Sequence, residues 1–221
     1  MNKKCTVCHL ANFANAAVCV RCGGMLGKTE TIPANSRFLN SALIKRASVC
    51  LAVIMAALIG FYASLVFSAA PLSSDERQTI DMAIEILADK GFADEVFLLR
   101  RLAVFRANDN WLNASVAKEN AYAATNFPFG IVTIYPDFFT YPVDLNEQAA
   151  ILLHESKHLQ GKDEKEAYEF VWKNRERIGW TSDDYSSSPI WQNVRKQTRE
   201  MSPETFVCDV NPYNDCTEKY R

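Results

Sequence analysis

The alternation of apolar and polar positions changes character along the chain, and each change marks an element. From Ala47 to Ala70 no charge interrupts 24 residues, ASVCLAVIMAALIGFYASLVFSAA. At 1.5 Å rise per residue that is about 36 Å of helix, enough to cross a hydrocarbon core with some tilt. A helix apolar on every face needs lipid or protein all round it, and the rest of the chain is too small to supply a protein jacket. The pattern predicts a single transmembrane helix over 47–70, closed by Pro71.

Past Pro71 the period becomes that of half-buried elements. Ser74-Asp75-Glu76 opens an amphipathic helix with Ile80, Ala83, Ile84 and Leu87 at helical spacing, ending at Gly91. Residues 95–106 (EVFLLRRLAVFR) fit helix and strand alike, with Leu102 and Val104 before Asn108-Asp109-Asn110 suggesting a strand end. Residues 130–135 (GIVTIY), bounded by Phe127-Pro128-Phe129 and Pro136, read as a strand. Asp144 is placed to cap a helix with Glu147 three positions on, and AAILLHESKHLQ carries that helix to Gly161. EKEAYEFVWKNRERIG continues as another helix. The expected fold class is α+β, with a short sheet beside that capped helix.

Composition changes the picture at the N-terminal end. With 48% apolar and 23% charged residues the chain is too hydrophobic for wholesale disorder. Its net charge of −2 conceals an asymmetry: residues 1–46 hold seven Lys/Arg against Glu30, whereas residues 72–221 carry a balance of −8. A basic nucleic-acid-binding body is excluded for the C-terminal part, and no nucleic acid partner is expected. Lys45-Arg46 flanks one end of the apolar run and Asp75-Glu76 follows the other. The positive-inside rule therefore puts residues 1–46 in the cytoplasm and residues 72–221 in the periplasm or another extracytoplasmic space, anchored in the cell (inner) membrane by one span. The run begins 46 residues in, unlike the apolar stretch of a secretory signal peptide. Four segments result: 1–26, a linker over 27–46, the span 47–70, and a folded domain over 72–221.

The cysteines follow the same division. Cys5, Cys8, Cys19 and Cys22 form two Cys-x-x-Cys knuckles at zinc-ribbon spacing. Each tight turn offers two thiolates, and a tetrahedral structural zinc takes four. A segment this short has no core of its own and needs such a staple. It resembles the short zinc ribbons at the N-terminus of prokaryotic membrane proteins, whose ending matches CVRCGGML. In that position it would recruit a cytoplasmic protein partner. Cys50 lies in the membrane helix as a packing residue, and Cys208 and Cys216 in CDVNPYNDC are candidates for a disulfide in an oxidising compartment.

The sharpest chemistry is His154-Glu155-Ser156-Lys157-His158, an HExxH on the capped helix. Residues i and i+4 share a helix face, so both imidazoles can reach one metal, with Glu155 beside them as a base. Only three histidines exist in the chain, and the two C-terminal to the span are both in this motif. Ala149 to Leu153 are all apolar, which makes the helix a buried one, and a buried His pair needs a reason. A catalytic zinc takes a third protein ligand. Gly161 lets the chain reverse and Glu164 is the first acid able to return, with Glu166 and Glu169 as rivals; Asp163 is placed to cap the next helix.

The stretch NAYAATNFPFGIVTIYPDFFTYPVDLNEQAAILLHESKH resembles the gluzincin metallopeptidases that include the heat-shock membrane protease and the CaaX prenyl endopeptidase. Those carry an Asn-Ala-aromatic-Ala segment, a Gly-led edge strand, a capped helix with HExxH, and Glu-x-x-Ala. Here these match Asn120 to Ala123, Gly130 to Tyr135, His154 to His158, and Glu164 to Ala167, with Tyr168 where the family usually has Asp. HESKHLQGKDE also fits the metzincin spacing with Glu164 in the third ligand's place and Met201 as a candidate Met-turn. The resemblance implies a small zincin-like domain hydrolysing peptide bonds. His154, His158 and Glu164 would hold a catalytic zinc, Glu155 would act as base, and strand 130–135 would pair with an extended peptide or protein substrate. Tyr168 is a candidate oxyanion stabiliser or a buried core tyrosine. The alternative is a non-catalytic, membrane-anchored zinc-binding interaction or regulatory protein.

Overall fold

The computed structural model describes residues 2–27, 41–114 and 121–206. Residues 28–40 of the linker, Asn120, and the Cys208–Cys216 pair lie outside the described residues. The chain divides into two units, Met1–Ala56 and Ala57–Arg221, with the boundary inside a long helix.

In the first unit, β1 (Lys3–Lys4) pairs antiparallel with β2 (Ala11–Asn12), Lys3 opposite Asn12. Two knuckles hang from this pair. Cys5 N–H donates to the Leu10 carbonyl and Cys19 N–H to the Gly24 carbonyl, the closures expected of two tight Cys-x-x-Cys turns. Asn12 is buried and ties them together: its Nδ2 donates to the Leu10 carbonyl, and its Oδ1 accepts from Val20 N–H.

Helix α1 runs Ser41–Phe67, starting before the uncharged stretch and stopping short of its end. Lys45 and Arg46 lie within its N-terminal part, because Lys and Arg propagate a helix nearly as well as Ala. Among the described residues, the segment Leu43–Phe67 of α1 is the one stretch long and apolar enough to cross a membrane.

The second unit builds up from local signals. Helix α2 (Ser74–Asp89) starts with a reciprocal capping box between Ser73 and Glu76, and it buries Ile80, Ala83, Ile84 and Leu87. The two-way segment splits into helix α3 (Ala93–Arg101) and strand β3 (Val104–Arg106). Strands β4 (Ala123–Asn126) and β5 (Ile131–Ile134) complete a three-stranded sheet in the order β3-β5-β4. Strand β5 runs parallel to β3, with Val104 opposite Ile131, and antiparallel to β4, with Thr125 opposite Val132.

This order corrects one expectation. The strand within 130–135 is central, and the edge strand beside the HExxH helix is β4. The physical reason is visible in β5 itself: all four residues of IVTI are buried, as suits a strand flanked on both sides, whereas β4 leaves Ala124 and Thr125 partly open. Helix α4 (Asp137–Thr140) then leads to α5 (Leu145–Leu159), the HExxH helix, which packs against α2, α3, β4 and α6 (Glu164–Ile178). Helices α7 (Ser182–Tyr185) and α8 (Pro189–Met201) and a 3-10 turn (Pro203–Phe206) close the far side. The core there is aromatic: Trp191 packs on both Trp172 and Trp180, and Phe206 stacks on Trp172.

Candidate active site

Helix α5 is fixed at its start by the Asp144 carboxylate, which accepts from the N–H groups of Asn146 and Glu147. Glu147 is fully buried and reaches back past the cap to Val143 N–H (2.9 Å), while its other oxygen accepts from Trp180 Nε1 and Ser188 Oγ. The run Ala149 to Leu153 fills the core behind. That leaves His154, Glu155 and His158 on the face that lines a cleft of about 740 Å³ between β4 and α8.

After α5 the chain reverses at Gly161, in the left-handed region at φ +75°, where a Cβ would meet the Phe127 ring at 3.2 Å. The reversal does two things. It brings the Lys162 carbonyl to 2.9 Å from His158 Nδ1, so the neutral ring donates from Nδ1 and keeps the Nε2 lone pair facing the cleft. It also starts α6 with Asp163 as its cap, accepting from Glu166 N–H, which turns Glu164 in the first helical position back toward the histidines.

The rival acids point elsewhere. Glu166 pairs with Lys162 at 2.8 Å, and Glu169 takes Lys173 and the Ser202 hydroxyl. Glu164 alone of the three meets the imidazoles, with Oε2 at 3.2 Å from His154 Nε2 and Oε1 at 3.4 Å from His158 Nε2; the two Nε2 atoms are 3.0 Å apart. Metal–ligand bonds of about 2.0–2.1 Å in a tetrahedral shell put neighbouring donor atoms about 3.3 Å apart. The Nε2–Nε2 distance and the approach of one Glu164 oxygen to each imidazole are of that order, and the His2Glu group could hold a metal ion.

Charge follows geometry. Hydrogen bonds with His154 and His158 hold the Glu164 carboxyl well below the usual carboxylate range. Burial works against a charged His158, but the Glu164 hydrogen bond, the Glu155 charge and the Lys162 carbonyl outweigh it and raise it to about 9. Positive charge is therefore favoured at His158, beside the Glu164 carboxylate.

Two further side chains complete the site. Glu155 is 4% exposed, and its Oε2 accepts from Thr125 Oγ1 of the edge strand at 2.8 Å. Nothing in the sequence pattern marked Thr125, since a threonine in a strand is ordinary. The Tyr168 ring packs 4.5 Å from that of His154, and burial, followed by the Glu164 and Glu155 charges, pushes its hydroxyl up to about 12. It therefore keeps its proton at neutral pH. Met201 lines the cleft from the last residue of α8, in a helix rather than a turn.

The four cysteines of the first unit converge independently. Cys5 and Cys22 bring their sulfurs to 3.5 Å, as do Cys8 and Cys19, one from each knuckle in both cases. A tetrahedral centre with metal–sulfur bonds near 2.3 Å sets sulfurs about 3.8 Å apart, so this group too could hold a metal ion. Backbone N–H groups of Arg21 and Cys22 lower the Cys19 thiol to about 6, as thiolate-stabilising knuckles do.

Comparison of the chain with protein-family models, with curated proteins and with solved structures finds no match.

Proposed function

We propose that the second unit is a zinc-dependent metallopeptidase held at a membrane by α1. The observation that carries this reading is the triangle of His154 Nε2, His158 Nε2 and the Glu164 carboxylate, with Glu155 on the same helix face. Zinc bound there would supply a Lewis acid for the scissile carbonyl and lower the pKa of water. The remaining work falls to the protein's own groups. Glu155, oriented by Thr125, takes a proton from the attacking water and passes it to the leaving amine. Tyr168 keeps its proton and offers it as a hydrogen bond to the developing oxyanion.

Substrate binding falls to β4. Tyr135 N–H donates to the Tyr122 carbonyl, so in the alternating antiparallel pattern Ala124 and Asn126 also face β5. The backbone groups of Ala123 and Thr125 then point outward, free to pair with an extended peptide. The acidic character of residues 72–221 and the basic flank at Lys45-Arg46 favour an extracytoplasmic domain, with a zinc ribbon of Cys5, Cys8, Cys19 and Cys22 in the cytoplasm presenting a surface to a protein partner.

The test is cleavage of an unfolded protein such as casein by the zinc-loaded full chain. Wild type should cut, and Glu155→Gln should not, while both hold the same zinc. Equal cutting by the two, or none by zinc-loaded wild type, overturns the reading.

A further inference from the structure

One side of the last turn of α1 and of the residues after it is covered by protein: Leu65 and Ala69 are buried, while Phe67 faces the other way and is exposed. Trp111 donates from its backbone N–H to Ser68 Oγ and from its indole Nε1 to Ser64 Oγ, both at 3.3 Å. Arg106 Nε donates to the Val66 carbonyl at 3.0 Å, capping the helix end with a cation, and Ala107 N–H donates to the Ala70 carbonyl. A guanidinium and two hydrogen-bonded loop residues, Ala107 and Trp111, do not belong in hydrocarbon, where one Arg costs about 3 kcal/mol at mid-depth. The outer hydrocarbon boundary must therefore lie on the N-terminal side of Ser64.

Immediately before that point stand Phe61 and Tyr62. The Phe61 ring meets Trp111 edge-on at 5.8 Å and Phe129 at 5.6 Å. Counting back from Phe61 to Leu43 gives a span of about 28 Å, the thickness of a hydrocarbon core. Lys45 and Arg46 then sit near the other boundary, where long stems carry their charges to the headgroups. Trp111 is 51% exposed, and Phe127 is exposed too.

We infer that Phe61, Tyr62, Trp111 and Phe129 form an aromatic girdle at the outer lipid interface, so that the folded domain itself dips its Trp111 loop and its β4–β5 turn into the headgroup layer. This rests on the reading of α1 as a membrane span. Its consequence is positional. Phe127, which lines the cleft, is two residues from Phe129, at most about 7 Å along the chain, so the cleft opens beside the lipid surface. The segment Ser64–Ala70, apolar in sequence, stands outside the hydrocarbon as a structural stalk. Trp is the residue suited to this place, its amphipathic ring resting at headgroup level.

Lipid-borne quenching reads this directly, because Trp172, Trp180 and Trp191 are at most 2% exposed. The full chain is placed in lipid discs made with phospholipids brominated either high on the acyl chains or near their terminal methyls. The high label should quench up to about a quarter of the emission, the share of one tryptophan in four, and more than the deep label does. Trp111→Phe, with unchanged zinc content, should abolish that quenching. A chain that enters the discs but shows no quenching by the high label refutes the girdle while leaving the span intact. Stronger quenching by the deep label refutes the placement of the boundary. A chain that fails to enter lipid discs at all overturns the span and the girdle with it.

Discussion

Replacing Glu147 by Gln is the most informative single change away from the His154, His158 and Glu164 cluster. The carboxylate is fully buried two helical turns before His154 and accepts three hydrogen bonds, from Val143 N–H, Trp180 Nε1 and Ser188 Oγ. Trp180 follows α6 and Ser188 caps α8, so this one group pins the HExxH helix to the two helices that bring Glu164 and the far wall of the cleft. A glutamine has the same shape but only one acceptor oxygen. Its best pose keeps that oxygen on Trp180 and Ser188 and turns its amide toward Val143 N–H, donor against donor. Losing a hydrogen bond to a charged group costs about 1.5–3 kcal/mol, and the two that survive weaken on losing the charge. The neutral amide is cheaper to bury, which offsets part of the loss and leaves about 2–3 kcal/mol. For a domain of this size that lowers the melting temperature by about 5–10 °C. The assay is thermal unfolding of the full chain in detergent followed by tryptophan emission, to which Trp180 contributes directly. A variant melting within about 1 °C of wild type would refute the reasoning that the buried carboxylate is held as a three-way acceptor.

Thr125→Val removes the hydroxyl that orients Glu155 and little else. It should leave zinc content unchanged and lower kcat by about ten- to hundredfold, the worth of a hydrogen bond to a charged group; unchanged turnover would dismiss Thr125 as a positioning residue. Glu95 and Lys157 form a nearly buried pair at 2.7 Å, with the ammonium also over the Phe170 ring. Glu95→Ala should cost about 3–5 kcal/mol by stranding the lysine. Burial opposes the Glu95 charge, but the Lys157 hydrogen bond prevails and lowers its pKa below the ordinary 4.5. That stabilisation is present above about pH 4.5 and lost as pH falls through the folded value. With chelator present in both samples, wild type should thus lose more stability than Glu95→Ala between about pH 5 and pH 3; parallel losses would show that the pair does not titrate with folding.

What was legible in the sequence was local. The Asp144 cap, the apolar run Ala149 to Leu153 and the Gly161 reversal each act within a few residues, and together they place His154, His158 and Glu164. The preference for Glu164 over Glu166 and Glu169 agrees with the geometry because Asp163 caps α6 and leaves only the first helical residue facing back. The Cys-x-x-Cys knuckles converge for the same local reason. What was not legible was pairing. Residues 130–135 read as an edge strand, yet β5 is central, because its partner β3 comes from an earlier segment and parallel pairing leaves no turn signal. Residues 95–106 fitted both periods until packing split them, Val96 and Leu99 turning inward on a helix and Phe105 on a strand. Thr125 carried no signal at all, since its role exists only once β4 lies beside α5.

Zinc analysis of the purified full chain is the most direct test of the central claim, that His154, His158 and Glu164 hold a metal separate from the four-cysteine centre. Wild type should carry two zinc ions per chain, and the double change His154→Ala with His158→Ala should carry one, retained by Cys5, Cys8, Cys19 and Cys22. One zinc in both proteins would contradict the account, leaving the histidine–glutamate triangle as a cluster of hydrogen bonds with no metal to hold.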